Sequence, residues 1–197
     1  KLQDDGFYTL SIGATDMGTG CDTILAQMAA ECLDCDVDNI ITQSVDTDAS
    51  PYDTGSYASA TTYVTGMAVV KTCEELKKQI LREAAVLLDV EEEHITFDGS
   101  MLRAVEDDKE ITLAEFANRC FAGGKGACLI ASASHCSPTS PPPFMAGIAE
   151  VDVDKLTGEI TLVDYAAVVD CGTVINPNLA RIQTEGGIPQ GIGMALY

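Results

Sequence analysis

The chain has 197 residues, 46% of them hydrophobic and 21% charged, and its formal net charge is −20. Between Leu2 and Val70 it carries eleven Asp and Glu residues and no Lys or Arg, which argues against a nucleic-acid surface because phosphates are bound mainly by Lys and Arg. No apolar run approaches the ~20 residues that span a membrane, and no signal peptide is recognisable, so we expect a cytoplasmic protein.

The first part of the chain alternates short strands and a helix. We predict strands at Phe7–Gly13 and Asn39–Ser44 and a helix at Asp22–Leu33 between them. The helix is indicated by apolar residues at steps of three and four. Asp16–Gly20, with the sequence DMGTG, is predicted to be a tight turn, and Asp46–Gly55 is a polar segment rich in turn-forming residues.

The middle of the chain is predicted to be mainly helical. Ser56–Leu88 reads as one long helix whose first third is small and β-branched. A short strand at His94–Phe97 precedes a hairpin-like DGS. A further helix at Thr112–Cys120 begins with Thr112 as N-cap and Glu115 three residues later, which is a capping box.

The last part of the chain is predicted to contain a hairpin and a terminal helix. Ala127–Ala131 reads as a strand and Ser132–Pro143 as a loop. The strands Met145–Asp152 and Ile160–Asp170 are joined by the turn DKLTGE and should form a hairpin. Asn176–Pro177 marks the start of a helix that continues to the end.

The order of these elements predicts an α+β fold, with two layers of mixed sheets packed against helices, rather than a repeating βαβ sheet. It allows two subdomains, 1–110 and 125–197. The chain opens at Lys1 without Met and ends within an apolar helical pattern, so we expect it to be a piece of a longer polypeptide, with upstream and downstream parts absent.

The cysteines allow a metal site without requiring one. Cys32-x-x-Cys35 is the only close pair, and it lies at the end of a predicted helix with no second pair and no well-placed His. Ordinary, semi-buried thiols in a reducing cytoplasm are the favoured interpretation, and a Cys-ligated metal protein is the alternative. The eight positions are Cys21, Cys32, Cys35, Cys73, Cys120, Cys128, Cys136 and Cys171.

Three segments carry the candidate site. Asp16–Gly20 lies between a strand and a helix, where backbone N–H groups can point at an anion, although a simple turn would look the same. Tyr57–Thr61 is a run of small and hydroxyl residues at a predicted helix start. Gln183–Gly193, QTEGGIPQGIG, holds four glycines and two glutamines. Gly inside a helix costs up to ~1 kcal/mol, so the helix is expected either to pack closely or to meet a ligand.

Together these motifs resemble the molybdopterin-binding subunit of the xanthine dehydrogenase and aldehyde oxidase family. The family pattern appears in order as MGTG, DTDASPYDTGSYAS, PPF, AEVDVD, LTG, DCG, INP and IQTEGGIPQGIG, and it covers essentially the whole chain. The resemblance implies a molybdenum cofactor-binding domain. It further implies a hydroxylase that adds water-derived oxygen to an aldehyde or an N-heterocycle.

The resemblance also implies which residues bind the cofactor, and it gives no direct protein ligand to the metal. Asp170, Gly172 and Glu185 are expected to be structural. Thr19 stands where the family has Gln, which puts a side-chain contact there in doubt. The implied cofactor-binding residues are Met17, Gly18, Thr19, Gly20, Tyr57, Ala58, Ser59, Ala60, Thr61 and Gln183.

The resemblance further implies electron-transfer partners, and it implies that the catalytic residue lies outside these 197 residues. Electrons would leave through iron–sulfur clusters to FAD on partner subunits or domains, in a complex expected to be dimeric. The cofactor is expected in its cytosine dinucleotide form, with a purine-like substrate. The family's catalytic Glu lies in a GxGE motif that the 197 residues do not contain, so we expect no catalytic residue here and no activity of the chain alone. A non-catalytic scaffold with the same fold is the alternative.

Overall fold

The computed structural model describes residues 1–43, 45–104, 108–122 and 128–197. The chain forms two compact units, Lys1–Pro138 and Thr139–Tyr197, which are described separately below. The sequence placed a division between residues 110 and 125, and the compact units divide later, after Pro138. Whether the two units are separate domains remains a prediction.

Unit 1 begins with a single βαβ motif. Strand β1 (Tyr8–Ser11) pairs in parallel with β2 (Ile40–Gln43), and helix α1 (Cys21–Leu33) connects them. Parallel neighbours need such a crossover because their ends lie at opposite edges of the sheet. All three predicted elements are confirmed, while Ser44, the predicted end of the second strand, lies outside the described residues. The motif occurs once in the described part of the chain, which agrees with the predicted α+β class.

Helix α2 (Thr61–Leu88) follows the polar segment and packs against α1. The sequence predicted that this helix would begin at Ser56, and that start is wrong. Tyr57–Ser59 forms one 3-10 turn, in which Ala58 and Ser59 have φ values of 54° and 56°. This left-handed conformation costs an L-residue roughly 1–2 kcal/mol and cannot continue a right-handed helix. The α-helix therefore starts two residues after the turn.

A three-stranded antiparallel sheet completes the regular structure of unit 1. Its order is β3 (Ile95–Phe97), β4 (Met101–Ala104) and β5 (Lys109–Thr112), and α3 (Leu113–Ala122) follows β5 directly. The sequence predicted β3 and its DGS turn but missed β4 and β5.

The capping box predicted for α3 forms in part. The N–H of Glu115 donates to Thr112 Oγ1 at 3.1 Å, as expected for an N-cap. The Glu115 carboxylate turns instead to Arg119, one helical turn further along. The cap therefore depends on the Thr112 hydroxyl.

One hydrophobic core fills unit 1. Its largest fully buried side chains include Tyr8, Leu25, Ile80 and Phe116, so the core joins β1, α1, α2 and α3. The predicted strand at Ala127–Ala131 is wrong for its described residues, which form no strand, while Ala127 itself lies outside the described range. The Leu2 N–H donates to the Leu129 carbonyl at 3.1 Å, and the Leu129 side chain is buried in the core.

Unit 2 consists of the predicted hairpin and helix. Strand β6 (Phe144–Val153) pairs antiparallel with β7 (Ile160–Asp170), with a bulge opposite Glu150/Val151. Helix α4 spans Pro177–Leu196, and the Asn176 side chain caps it by accepting from the Leu179 N–H at 3.1 Å. Both predictions are confirmed.

One face of the hairpin is wholly apolar apart from a tyrosine hydroxyl. Paired residues share a face, and side chains of β6 alternate between the two faces. The residues on the apolar face are Met145, Gly147, Ala149, Val151, Val153, Ile160, Leu162, Tyr165, Ala167 and Val169. A two-stranded hairpin is marginally stable by itself, so an apolar face of this length needs a further packing surface.

Taken together, helices and mixed sheets confirm the predicted α+β class. None of the helices in the described ranges is both long enough and apolar enough to cross a bilayer.

Candidate functional site

The turn between β1 and α1 is organised by one carboxylate. Asp16 Oδ1 accepts the backbone N–H of Gly18 at 2.8 Å and that of Gly20 at 3.1 Å. Gly18 and Gly20 have φ values of 95° and 77°, which L side chains rarely adopt. The DMGTG sequence is therefore a built turn, in which the glycines supply the conformation and Asp16 accepts their N–H groups.

The electrostatics of this turn favour an ionised Asp16. The slight burial of the carboxyl acts to raise its pKa, but backbone hydrogen bonds from Gly18, Gly20, Asp22 and Thr19 together outweigh burial and lower the pKa below its ordinary value. Met17 and Thr19 are both exposed. The turn thus presents a negative charge and two exposed side chains rather than an open set of amides.

The segment before α2 is held by a second aspartate. Asp53 Oδ1 accepts from the Gly55 N–H at 2.7 Å, and its Oδ2 lies 3.4 Å from Thr65 Oγ1 on α2. Ser56 and Thr61 share a hydrogen bond between their hydroxyl oxygens at 2.6 Å. These bonds tie the segment to the first turns of α2.

Inside this segment the backbone is strained. Ala58 and Ser59 are consecutive non-glycine residues at positive φ, and Tyr57, Ala58 and Ser59 are all exposed. Such outliers cost of order 1–3 kcal/mol each and cluster at ligand-binding sites. Sequence reasoning missed this conformation because neither residue is a type that favours it.

The first turn of α2 differs from that of α1. Neither helix has a side-chain cap at its start, but α2 has no acidic residue in its first turn. Helix α1 has Asp22 in its first turn and the ionised Asp16 beside it. The partial positive charge of a helix N-terminus attracts anions, so the start of α2 is the better place for an anionic group.

Contacts along α1 and α2 show that the two helices run in the same direction. A Cβ added to Gly66, in the second turn of α2, would lie 2.7 Å from Met28 Sδ near the middle of α1. Further along α2, Lys77 Nζ donates to the Cys32 carbonyl at 3.0 Å and pairs with Asp34 at 2.8 Å, at the end of α1. Later residues of one helix thus meet later residues of the other.

The parallel arrangement brings two of the predicted segments to one end of the helix pair. At a rise of 1.5 Å per residue, Gly66 lies about 8 Å from the start of α2, and Met28 lies about 10 Å from the start of α1. The predicted residues of the two turns, 17–20 and 57–61, directly precede or open these helices. The fold of unit 1 therefore places them on the same side of the unit.

The remaining predicted residue, Gln183, lies in unit 2. It is an exposed residue in the second turn of α4. A Cβ built on Gly186, Gly187, Gly191 or Gly193 would meet nothing within 4 Å. Within unit 2 these glycines therefore make no close packing contact, and the expectation of close approach at this helix remains a prediction.

One cluster of possible metal ligands among the described residues includes a cysteine. Asp16, Cys21 and Asp22 are the single group in the described ranges whose possible ligand atoms lie within 4.8 Å of one another. Burial raises the pKa of Cys21 to about 11, so its thiol is neutral near pH 7. Cys32 and Cys35 are half-buried at the end of α1, and burial raises the pKa of each. Ordinary thiols and a Cys-ligated metal protein both stay predictions.

A separate cleft of about 410 Å³ opens in unit 1 between the end of β1, the middle of α2 and residues 131–135. Its polar lining includes Asp53, Thr65 and His135, and the His135 ring nitrogen Nδ1 lies 3.0 Å from Lys71 Nζ. None of the ten predicted cofactor-binding residues lines it. The two predicted segments therefore lie on the surface of unit 1 rather than inside this cleft.

The geometry and motif order describe a cofactor-binding α+β domain, and comparison with known proteins gives its family. The family model described as "Molybdopterin cofactor-binding domain" matches residues 1–197. The chain belongs to this family. The resemblance read from the sequence is confirmed.

Individual relatives agree with this assignment. The chain is 34% identical over its whole length to the probable hypoxanthine oxidase of Escherichia coli, of which it covers 20%. It is 28% identical to the carbon monoxide dehydrogenase large chain of Hydrogenophaga pseudoflava, of which it covers 25%. Quinoline 2-oxidoreductase from Pseudomonas putida superposes with a TM-score of 0.79 at 25% identity, over 98% of this chain and 25% of that one. The chain thus spans about a quarter or less of these relatives.

The donor set of unit 1 fits an anionic pterin cofactor. The start of α2 carries hydroxyls at Ser59 and Thr61, of which that of Thr61 is shared with Ser56, and it has no acidic residue in its first turn. No Lys or Arg lies between Leu2 and Val70, so amides and hydroxyls are the donors available for a negative group there. A molybdopterin phosphate is therefore chemically compatible with this segment.

Proposed function

We propose that the protein carrying this chain is a molybdenum hydroxylase that oxidises an N-heterocycle of the purine type, or an aldehyde, with oxygen derived from water. The observation that carries this proposal is the parallel pair α1 and α2, whose first turns bring 17–20 and 57–61 to one side of unit 1. The purine preference is supported by 34% identity to the probable hypoxanthine oxidase.

The residues have distinct proposed roles. Ser59 and Thr61, with the first N–H groups of α2, bind the anionic part of the cofactor because this helix start lacks an acidic residue. Ala58 keeps the backbone close to the cofactor because its side chain is small. The 17–20 turn contacts the pterin, and Gln183 donates from its amide. When bound, the molybdenum cofactor would supply the two-electron oxidation, and these residues hold and orient it.

The complete assembly is proposed to contain further parts. Iron–sulfur and FAD subunits or domains would carry electrons away from the cofactor, which is proposed to be the cytosine dinucleotide form, in a dimeric cytoplasmic complex. The catalytic Glu implied by the family resemblance belongs to a GxGE motif absent from these 197 residues. We therefore propose that this chain alone has no turnover.

Metal analysis and isotope labelling test this function in the complete protein. We expect about one molybdenum per polypeptide, cytidine monophosphate on acid hydrolysis, and ¹⁸O from labelled water in the hydroxylated product. Hypoxanthine, an aldehyde and quinoline compared side by side would rank the substrates. Absence of molybdenum and pterin from a protein expressed with a full cofactor supply would refute the proposal.

Three variants test the proposed binding residues. Ser59→Ala, Thr61→Ala and Gln183→Ala should each lower the molybdenum content. Thr72→Ala is a matched control on α2, because the Thr72 hydroxyl bonds to the Ala68 carbonyl of its own helix at 2.8 Å. Equal molybdenum content in all four variants would show that Ser59, Thr61 and Gln183 do not have the proposed binding roles.

A scaffold without catalysis is the second candidate, and Thr19 in place of the family's Gln is the observation that favours it. A Thr19→Gln variant discriminates the two. If the scaffold proposal holds, neither the natural protein nor this variant acquires molybdenum. If the enzyme proposal holds, the natural protein already contains it.

A further inference from the structure

The carboxylate of Asp16 occupies the position in which a bound anion would sit at the start of α1. It accepts two backbone N–H groups, from Gly18 and Gly20, and so uses the donors that an incoming phosphate would need. Asp22 adds a second carboxylate in the first turn of the helix. A phosphate at this turn would therefore meet like charge and engaged amides.

We propose that Asp16 is a positioning residue for cofactor binding: it fixes the 17–20 turn and excludes anions from it, so that the turn meets the uncharged part of the cofactor. This inference rests on the proposed function. Two of the backbone amides of this turn are engaged by Asp16, so the proposal assigns the turn to the pterin rather than to the cofactor phosphate. The anionic part is left to the start of α2.

The conformation of the turn depends on this carboxylate. Gly18 and Gly20 take left-handed φ values, and glycine has many competing conformations when nothing holds it. A Cβ built on Gly18 would meet nothing within 4 Å, so packing does not fix its backbone. The bonds to Asp16 engage the N–H groups of both glycines, while the Gly20 carbonyl accepts from the Ile24 N–H at 3.1 Å, and the exposed Met17 and Thr19 lie in the same turn.

Asp154 supplies a matched control. It is also exposed, and its Oδ1 also accepts two backbone N–H groups in a turn, from Leu156 at 2.8 Å and Thr157 at 3.3 Å. This turn joins β6 to β7 and carries none of the predicted cofactor-binding residues. Asp16→Ala and Asp154→Ala therefore remove the same kind of hydrogen bonding at two turns, of which one is assigned to the cofactor.

The experiment has three arms, all in the complete protein. The first measures amide hydrogen exchange at Gly18 and Gly20 in the cofactor-free form, where Asp16→Ala should speed exchange by about fivefold or more and Asp16→Asn, which keeps Oδ1, by less. The second adds inorganic phosphate, which should slow exchange at these amides in Asp16→Ala but leave the natural protein unchanged. The third measures molybdenum content at limiting cofactor, together with the melting temperature.

The expected result in the third arm is a molybdenum content several-fold lower in Asp16→Ala, a partial recovery in Asp16→Asn, and no change in Asp154→Ala. Equal contents in the two Ala variants would overturn the proposal, as would Asp16→Asn being as defective as Asp16→Ala. Phosphate protection of Gly18 and Gly20 in the natural protein would also overturn it. If Asp16→Ala does not fold, Asp16→Asn is compared with Asp154→Asn in the same three arms.

The failure of this inference can be separated from failure of the proposed function. If the natural complete protein contains no molybdenum, the proposed function fails, while the exchange and phosphate arms still report whether Asp16 holds the turn and excludes anions. If the natural protein contains molybdenum and the Asp16 variants match it in all three arms, only the inference about Asp16 fails.

Discussion

Substitution of Gly66 tests whether the spacing of α1 and α2 is set by this glycine. Gly66 is buried, and an added Cβ would lie 2.7 Å from both Sδ and Cε of Met28. These atoms are the end of a flexible side chain and can shift. In Gly66→Ala, the helix propensity gained over Gly, up to ~1 kcal/mol, should offset that shift, so the free energy of unfolding should stay close to its natural value.

Gly66→Val should behave differently because it adds two further methyl groups on a stiff, β-branched side chain. Overpacking of a close helix contact costs about 1–3 kcal/mol, part of which the loss of Gly offsets. We expect a net loss of about 1–2 kcal/mol in the free energy of unfolding. Met28→Ala removes the colliding atoms, so Val at position 66 should cost at least ~1 kcal/mol less in that background.

Urea unfolding of the four proteins in this double-mutant cycle measures the coupling directly. In the complete protein, Gly66→Val should also lower the molybdenum content, since it separates the starts of the two helices. A Gly66→Val protein as stable as the natural one would refute the reasoning. So would a cost that is the same with and without Met28.

Three further outcomes are expected. Asn176→Ala should destabilise α4 by about 1 kcal/mol through loss of its cap, seen as faster amide exchange in its first turn, whereas Asn176→Asp should not. Gly99→Ala should unfold at a clearly lower urea concentration than Gly158→Ala. Both glycines have positive φ, but a Cβ at Gly99 would overlap the Asp34 carbonyl, whereas a Cβ at Gly158 would meet open space. Equal urea midpoints for the two variants would contradict this reasoning. Burial raises the pKa of Cys73 from 9.0 to about 12, so the native state holds the thiol proton more tightly than the unfolded chain does. The contribution of this group to the free energy of unfolding should be complete below pH 9 and should be lost as the pH rises toward 12. Resistance of Cys73 to alkylation at pH 8, measured by mass spectrometry, checks that the thiol is buried.

Elements with strong local signals could be predicted from the sequence. Helix α1 follows its three- and four-residue apolar periodicity, and the β6–β7 hairpin follows its paired apolar strands and the turn between them. The start of α4 follows from Asn176 beside Pro177, because both residue types favour a helix N-terminus. In each case the residues that decide the structure are neighbours in the chain.

Elements that depend on distant partners could not be predicted. Strands β4 and β5 are four residues each, MLRA and KEIT, and their polar positions give no clear alternation. They become strands because they pair with each other and with β3. The residues from Cys128 to Ala131 look apolar enough for a strand but find no strand neighbour.

The candidate site likewise has features that could be predicted from the sequence and features that could not. The order of short motifs identified the family and the two segments of unit 1, because each motif is contiguous in the sequence. The left-handed backbone conformation of Ala58 and Ser59 was missed because both residue types are compatible with a helix and do not indicate positive φ. The occupation of the turn by Asp16 was also missed, because a carboxylate that accepts N–H groups from its own turn looks the same in sequence as an exposed one.

The sequence by itself predicted the α+β class from its periodicity, and the order of its motifs gave the resemblance to the molybdopterin-binding family that the family model confirms. Only the tertiary structure decided that α1 and α2 run in parallel and so bring two cofactor segments to one side of unit 1. Only the structure showed that the Asp16 carboxylate accepts backbone N–H groups of the turn that precedes α1. The parallel helix pair depends on contacts between residues tens of positions apart, and the role of Asp16 depends on backbone hydrogen bonds. Neither feature produces a recognisable pattern in the sequence.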